Sequence, residues 1–325
     1  MYAWICDNPT GPDTLTWKET KTPEPGRGEV RIAIKAASLN FPDLLITKGK
    51  YQVKPNPPFV PGVEFAGLVD AVGEGVDNFQ LNDKVAVFTN TGGFGTHAVA
   101  STSEIMIPLP SIFSFEDASA FLCTYGTSYH ALLDRAALKP GETVLVLGAA
   151  GGVGTAAIQI AKAAGARVIA AASSDDKCAL CKQLGADATI NYSNKNLRDE
   201  LKTLTAGKGP DVIYDPVGGD FAEAAFRSIA WRGRYLVIGF AQGQIPALPL
   251  NLALLKGASI VGVFWGNFCN REPQKSIAHF KKLIDWYREG KIKPLIENKL
   301  PMSELKKAFA LMTTRQVRGK VVLVN

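Results

Sequence analysis

Cysteine and histidine are scarce in this chain, with five of the first and three of the second among 325 residues. The cysteines Cys6, Cys123, Cys178, Cys181 and Cys269 are odd in number and scattered. Such a set builds no disulfide framework and argues for reduced thiols in a cytoplasmic setting. Cys178 and Cys181 form a single C-x-x-C inside DDKCALCKQLG, a stretch of helical composition. Without a second pair they are poor evidence for zinc and read as ordinary helix residues. His97, His130 and His279 stand isolated in the sequence, so no His/Asp or Ser/His/Asp pattern presents itself. No block of five or more Lys/Arg occurs and the aromatics are scattered, which argues against a nucleic-acid partner. The net charge of +6 then describes a mildly basic surface, or one that attracts a phosphate-rich ligand. MYAWICDNPTGPDTL has neither a basic start nor a long apolar core, so no signal peptide is expected. Val144 to Ala161 is apolar enough to suggest a membrane span, but its glycines and its change from strand to helix period argue for buried structure. Neither repeats nor low-complexity tracts are found. At 46% hydrophobic and 20% charged residues, the composition is that of an ordinary globular protein long enough for two domains.

What is present is organised around Val144 to Gly154, VLVLGAAGGVG, where four apolar residues run into a cluster of Gly and Ala. TAAIQIAKAAG follows with helical composition, and RVIAAA then reads as another strand. Strand, glycine turn, helix, strand opens a dinucleotide-binding unit. Gly151 and Gly152 let backbone N–H groups approach a ligand with no Cβ in the way. A helix starting near Val153 points its positive end at the same spot, which suits a pyrophosphate. Gly154, Ala156 and Ala157 are small enough for that helix to lie close on the sheet. The pattern departs from G-x-G-x-x-G because Ala149 takes the place of the first glycine, and Gly/Ala runs also serve as plain strand-to-helix turns.

Before that turn the chain reads as mostly β. EVRIAIKAASL, GLVDAVG and KVAVF have strand character and are separated by PGRGE, NPPFVPG, GEGVDNFQLND and TGGFG. Helical material first appears in SFEDASAFLCTYGTSYHALLDRA, where Ser114 is placed to cap a helix and Thr124 to Gly126 to break it before a second one. From about residue 143, TVLVLG, RVIAAA, ATINY, VIYD, RYLVIG and SIVGV alternate with amphipathic stretches. That alternation predicts a parallel sheet covered on both faces. Gly165, Gly185 and Gly207 each follow a helix, as C-terminal caps do. Beyond about 264 come two further helices, in EPQKSIAHFKKLIDWYREGK and MSELKKAFALMTTRQ, and a strand, GKVVLV. This tail is too short to hold its own core and is expected to pack back on the first domain. Residues 1–122 and 264–325 would then form one domain, interrupted by a dinucleotide-binding domain at 123–263, with a cleft between the domains as the default ligand site.

SLNFPD at 38–43, PGVEFAGLV at 61–69, the GAAGGVG turn and GKVVLV span nearly the whole chain. In this order they resemble the medium-chain dehydrogenase/reductase superfamily, and together they are similar to its zinc-free quinone oxidoreductase branch, the zeta-crystallin type. The resemblance implies a Rossmann doubly wound parallel sheet inserted in a mostly-β, GroES-like catalytic domain. It also implies reduction of quinones or activated carbon–carbon double bonds with NADPH. Zinc-dependent relatives carry a cysteine where this chain has Asn40 and a histidine where it has Val63, while Cys123 keeps the third ligand's place four residues before Thr127. One thiolate cannot hold a catalytic zinc, so no metal site is expected and Cys123 reads as a buried small residue. Without a Lewis acid the accessible reaction is hydride delivery to an acceptor whose product anion is already delocalised, such as a quinone or an enone.

An NAD-specific site places an acid after the second strand, and here Ala172 is followed by Ser173, Ser174 and Lys177. The resemblance carries Ser173, Lys177 and Tyr192 over as the holders of a 2′-phosphate, with Ser174 a further hydroxyl. The alternative makes Ser174 a helix cap and Lys177 a solvated charge, and the acids Asp175 and Asp176 count against a phosphate. Asn40 and Thr127 are placed by the family near the nicotinamide and its ribose. Gly239, Phe240, Val263, Phe264 and Trp265 would offer backbone groups to its carboxamide. Arg315 either reaches the cofactor or serves a helix end. For catalysis, Tyr51 is the leading candidate to donate to a substrate carbonyl, or else a loop aromatic shaping the pocket; Asn40 and Asp43 follow it. A homodimer paired edge to edge near Val261 is expected. Rival readings are an enoyl-thioester or 2-alkenal reductase of the same fold, and a non-catalytic NADPH-binding partner protein.

Overall fold

Strand pairing begins at once. β1 (Tyr2–Ile5) lies antiparallel to β2 (Thr16–Glu19), with Trp4 opposite Trp17. The structure, a computed structural model, describes residues 1–325. EVRIAIKAAS alternates in polarity and forms β3 (Glu29–Ser38), burying Val30, Ile32 and Ile34. Helix α1 (Phe41–Thr47) follows, with Pro42 in its first turn, where a missing N–H does no harm. Then come β4 (Glu64–Val72), β5 (Lys84–Phe88), β6 (His97–Ser101) and β7 (Ile105–Pro108). The Ser114 hydroxyl accepts from the Asp117 N–H at 3.0 Å and caps α2 (Phe115–Ser119).

Next, α3 (Leu122–Tyr129) runs without interruption into a π-helical segment, His130–Arg135. The helix break expected at Thr124 to Gly126 does not occur; the chain breaks earlier, between Ser119 and Leu122. Gly126 stays helical because the Trp265 ring occupies its bare side, 2.6 Å from where a Cβ would stand.

The six expected strands all form: β8 (Thr143–Val146), β9 (Arg167–Ala172), β10 (Ala188–Asn191), β11 (Val212–Asp215), β12 (Arg234–Val237) and β13 (Ser259–Gly262). They make one parallel sheet in the order β10-β9-β8-β11-β12-β13. Between them lie α4 (Gly152–Ala163), α5 (Asp175–Gln183), α6 (Leu197–Leu204), α7 (Asp220–Arg227) and α8 (Asn251–Lys256), followed by α9 (Trp265–Arg271) and α10 (Pro273–Arg288). The apolar run from Val144 to Ala161 is a buried strand and helix, and no helix is long and apolar enough to cross a membrane. Fully burying Ile158 and Ile160 on α4 stabilises the helix's seat on the sheet by about 1.5–3 kcal/mol each.

Two strands and a helix complete the chain: β14 (Ile296–Pro301), α11 (Leu305–Thr313) and β15 (Lys320–Val324). β14 pairs parallel with β15, and β15 pairs antiparallel with β3, closing a seven-stranded sheet in the order β14-β15-β3-β4-β5-β7, with β6 also on β3. Ile32, Phe65, Phe94, Phe309 and Leu323 meet in its core. Contacts divide the chain into one unit of Met1–Cys123 with Ile296–Asn325 and a second of Thr124–Leu295. The return to the first unit therefore begins at Ile296 and not at 264. Residues 264–295 stay with the parallel sheet's unit because α9 and α10 bury Trp265, Phe268, Phe280 and Leu283 there.

Candidate functional site

Ligands bind such sheets at the carboxyl ends of the strands, where the order reverses, here between β8 and β11. The chain leaves β8 through a tight turn to Gly151, the N-cap of α4. A Cβ on Gly154 would lie 2.5 Å from the Gly148 carbonyl oxygen and 2.7 Å from the Ala149 Cα, so this glycine is required for the helix to seat. A Cβ on Gly151 would meet only that carbonyl oxygen, at 3.4 Å. The space over Gly151 is therefore open, and the first-turn N–H groups at Gly152 and Val153 lack intrahelical partners and point to it. That cradle fits a pyrophosphate.

At the end of β9 the Lys177 ammonium donates to the Ser173 hydroxyl at 3.3 Å, so these two expected phosphate holders stand together. Ser174 instead caps α5, its hydroxyl accepting from the Lys177 N–H at 3.3 Å. The Asp175 carboxylate accepts from Asn191 Nδ2 at 2.8 Å, which turns its charge toward β10, and Asp176 is exposed. Tyr192 rests against the Phe221 ring, centroids 4.4 Å apart. After β12, Gly239 spends its N–H on the Asp215 carbonyl at 3.3 Å, which removes it as a carboxamide donor. With Phe240 it borders a cavity of about 250 Å³ lined also by Asp215, Tyr235, Val237 and Ile260. The Asp215 carboxylate there accepts from the Tyr235 hydroxyl and from the N–H groups of Val217 and Gly218. After β13, Val263 bonds back to Val237, Phe264 is 51% exposed and Trp265 is buried against Gly126. Thr127 is half-buried on α3 of the same unit.

The remaining candidates lie in the first unit. Arg315 is exposed just past α11, with a left-handed φ of 58°. Tyr51 is half-buried beyond α1, and burial, with Cys123 and Asp43 nearby, pushes its hydroxyl up to about 12. It is thus a neutral donor throughout the physiological range. Asp43 is fully buried, its two oxygens accepting from the Asn40 N–H at 2.8 Å and the Val63 N–H at 2.9 Å. Burial lifts its carboxyl to about 7 against the pull of those amides and of Lys320. Both oxygens are thus engaged in tying the start of α1 to the chain just before β4. Asn40 is likewise engaged: Nδ2 donates to Glu64 Oε2 at 2.8 Å and to the Ser38 carbonyl at 3.3 Å, and Oδ1 accepts from the Lys320 ammonium at 2.6 Å.

Glu64, Lys320 and Ser38 were not singled out in the sequence. Ser38 Oγ donates to Glu64 Oε2 at 2.9 Å, the Lys320 ammonium lies 3.4 Å from the same oxygen, and Oε1 accepts from the Cys123 N–H at 2.9 Å. A carboxylate at the first turn of α3 also answers that helix's positive end. The only available signal was a charged residue inside two apolar strands, PGVEFAGLV and GKVVLV, where an unpaired charge is expensive.

Comparison with known proteins agrees with this fold. Residues 26–111 match the family model of the alcohol dehydrogenase GroES-like domain, and residues 152–287 that of the zinc-binding dehydrogenase. A quinone oxidoreductase-like protein 2 homolog of Nematostella vectensis is 36% identical over 324 residues, 99% of this chain and 88% of its own. A quinone oxidoreductase of Pseudomonas aeruginosa is 34% identical over 315 residues, 97% of this chain and 96% of its own. The crystal structure of Escherichia coli quinone oxidoreductase complexed with NADPH superposes with a TM-score of 0.92 at 28% identity, covering 100% of both chains.

The zinc of the second family description does not fit these residues. Val63 cannot ligate, Asn40 holds an ammonium at 2.6 Å, and no grouping of three His, Cys, Asp or Glu side chains suits a metal ion.

Proposed function

The chain belongs to the medium-chain dehydrogenase/reductase superfamily, in its quinone oxidoreductase branch, and from that premise we propose that it is a metal-independent, NADPH-dependent reductase of quinones or α,β-unsaturated carbonyls. The observation that carries the reading is the open cradle over Gly151 at the start of α4, together with the Lys177–Ser173 pair at the end of β9, where two serines and not an acid directly follow Ala172. Gly151, Gly152 and Val153 would hold the pyrophosphate, and Lys177 and Ser173 the 2′-phosphate. When bound, the dinucleotide supplies the hydride. Tyr51 stays protonated and is suited to donate to the oxygen on which charge develops. Ser174 serves the helix in this reading, and Tyr192, held to the end of β9 by its N–H on the Ala172 carbonyl at 3.1 Å, completes the 2′-phosphate group.

The test is oxidation of NADPH and NADH against a quinone, an enone, an enoyl thioester and a 2-alkenal, with and without a chelator. Turnover preferring NADPH and the quinone or enone, unchanged by the chelator, is expected. Loss of turnover with the chelator ends the metal-independent reading. Tight NADPH binding without turnover on any acceptor would make the chain a non-catalytic binding protein. For the cofactor choice, Lys177→Ala raises KM for NADPH by about tenfold or more while leaving that for NADH nearly unchanged. Equal effects on both would remove the phosphate role.

Two further parts of the reading concern assembly and place. The exposed β13 edge, with Ile260 41% exposed and Leu250 and Leu254 exposed nearby, supports a homodimer. Five buried cysteines without a disulfide support a reducing, cytoplasmic setting.

A further inference from the structure

The three positions that correspond to metal ligands in zinc-dependent relatives, Asn40, Val63 and Cys123, all border one buried ion pair in this chain. Glu64 is 0% and Lys320 5% exposed. The Glu64 carboxylate accepts from Ser38 Oγ, Asn40 Nδ2, the Cys123 N–H and the Lys320 ammonium, which leaves it fully coordinated. Lys320 in turn fixes Asn40 Oδ1 at 2.6 Å. Val63, next in sequence to Glu64, is tied through its N–H to Asp43. The pair thus joins the start of α1, the start of β4, the first turn of α3 and the strand β15.

Stability alone does not account for it. Well-packed apolar side chains of similar volume often hold a fold as well as a buried ion pair or better, so the pair's worth is sought in the groups it fixes. We propose that Lys320 and Glu64 are positioning residues, an internal ammonium–carboxylate pair that orients Asn40 and the first turn of α3. Within the pair it is the Lys320 ammonium that sits on Asn40 Oδ1, and it repels any divalent ion that approaches that oxygen. The pair's kinetic consequence rests on the reductase reading above. Loosening Asn40 and α3 slows hydride transfer, whereas the dinucleotide cradle at Gly151 belongs to other elements and keeps its affinity.

The test compares Lys320→Met, Lys320→Arg and the double variant Lys320→Met/Glu64→Gln with the parent chain. Lys320→Met is expected to lower kcat by about tenfold or more, with the NADPH Kd, read by fluorescence, changed by no more than about twofold. Lys320→Arg restores most of the lost rate. The double variant removes both charges, so it regains the Tm lost in Lys320→Met without regaining kcat. Recovery of kcat together with Tm in the double variant would show a purely structural pair and overturn the proposal, as would an unchanged kcat in Lys320→Met. If the parent chain reduces no acceptor, the reductase reading fails, and amide hydrogen exchange decides the pair by itself. Protection of the Cys123 amide, which Glu64 holds, then falls by about a hundredfold in Lys320→Met and returns in Lys320→Arg. Protection retained in Lys320→Met overturns the positioning role.

Discussion

His279 carries a polar atom that the fold does not satisfy: its Nδ1 is buried and makes no hydrogen bond. Its ring lies 4.9 Å from that of Tyr129 and 5.3 Å from that of Phe268, on which His130 is also stacked at 3.9 Å. Burial lowers the protonation of both histidines below the ordinary value, outweighing the nearby Asp134. A base with a lowered folded value stabilises the protein above its unfolded value, near 6.5, and loses that contribution as pH falls through the folded value. Acid from pH 6.5 downward is therefore expected to lower Tm. His279→Phe keeps the aromatic stacking, removes an unsatisfied group worth about 1–3 kcal/mol, and flattens that acid slope; a Tm series from pH 7.5 to 5 reads both effects. Tyr51 makes the opposite kind of statement. Held up at about 12, its hydroxyl remains a donor through neutral and mildly alkaline pH. Tyr51→Phe should lower kcat by about tenfold to a hundredfold without weakening NADPH binding, and the parent rate should show no ionisation of this group below pH 10.

Among the elements, the turn from β8 into α4 separates a glycine needed for folding from one needed for binding. Gly154→Ala would drive a methyl group into the backbone of Gly148 and Ala149, and should destabilise by about 1–3 kcal/mol or shift the helix off the sheet. Gly151→Val meets no backbone closer than 3.4 Å from its Cβ. It should therefore fold with a stability change of only about 1 kcal/mol while losing NADPH affinity. Urea melts and fluorescence titration of the two variants separate the roles. This turn and its six strands were legible from local pattern alone, because helical stretches separated most of the apolar runs and Gly165, Gly185 and Gly207 closed three of those helices. Helix α3 was not. Thr124 to Gly126 reads locally as a break, and only the Trp265 ring, brought from α9, fills the space that makes Gly126 acceptable inside a helix.

Over the whole molecule, what escaped the sequence is what joins distant segments. Glu64 and Lys320 are 256 residues apart, and nothing near either one announces the other. His130 and His279 look isolated in sequence but bring their rings to 6.2 Å. The boundary at 295/296 escaped as well, because α10 has the same amphipathic pattern whichever unit it covers. The proposed dimer belongs to this scale too. A particle mass of twice 34.8 kDa is expected in dilute solution, and Ile260→Glu on β13 should shift it to the single-chain value without unfolding either unit. A single-chain mass for the parent protein would remove the dimer. The divided first unit carries one last consequence. Ribosomes deliver residues 124–295 as one continuous stretch, whereas β3, paired with β6 over Glu29–Ala33, must wait for β15, made after all of them, before Ala36–Ser38 are covered. During synthesis the parallel-sheet unit can therefore be finished while the first unit is still open, and nascent chains stalled short of residue 320 should be captured by chaperones through that uncovered stretch of sheet.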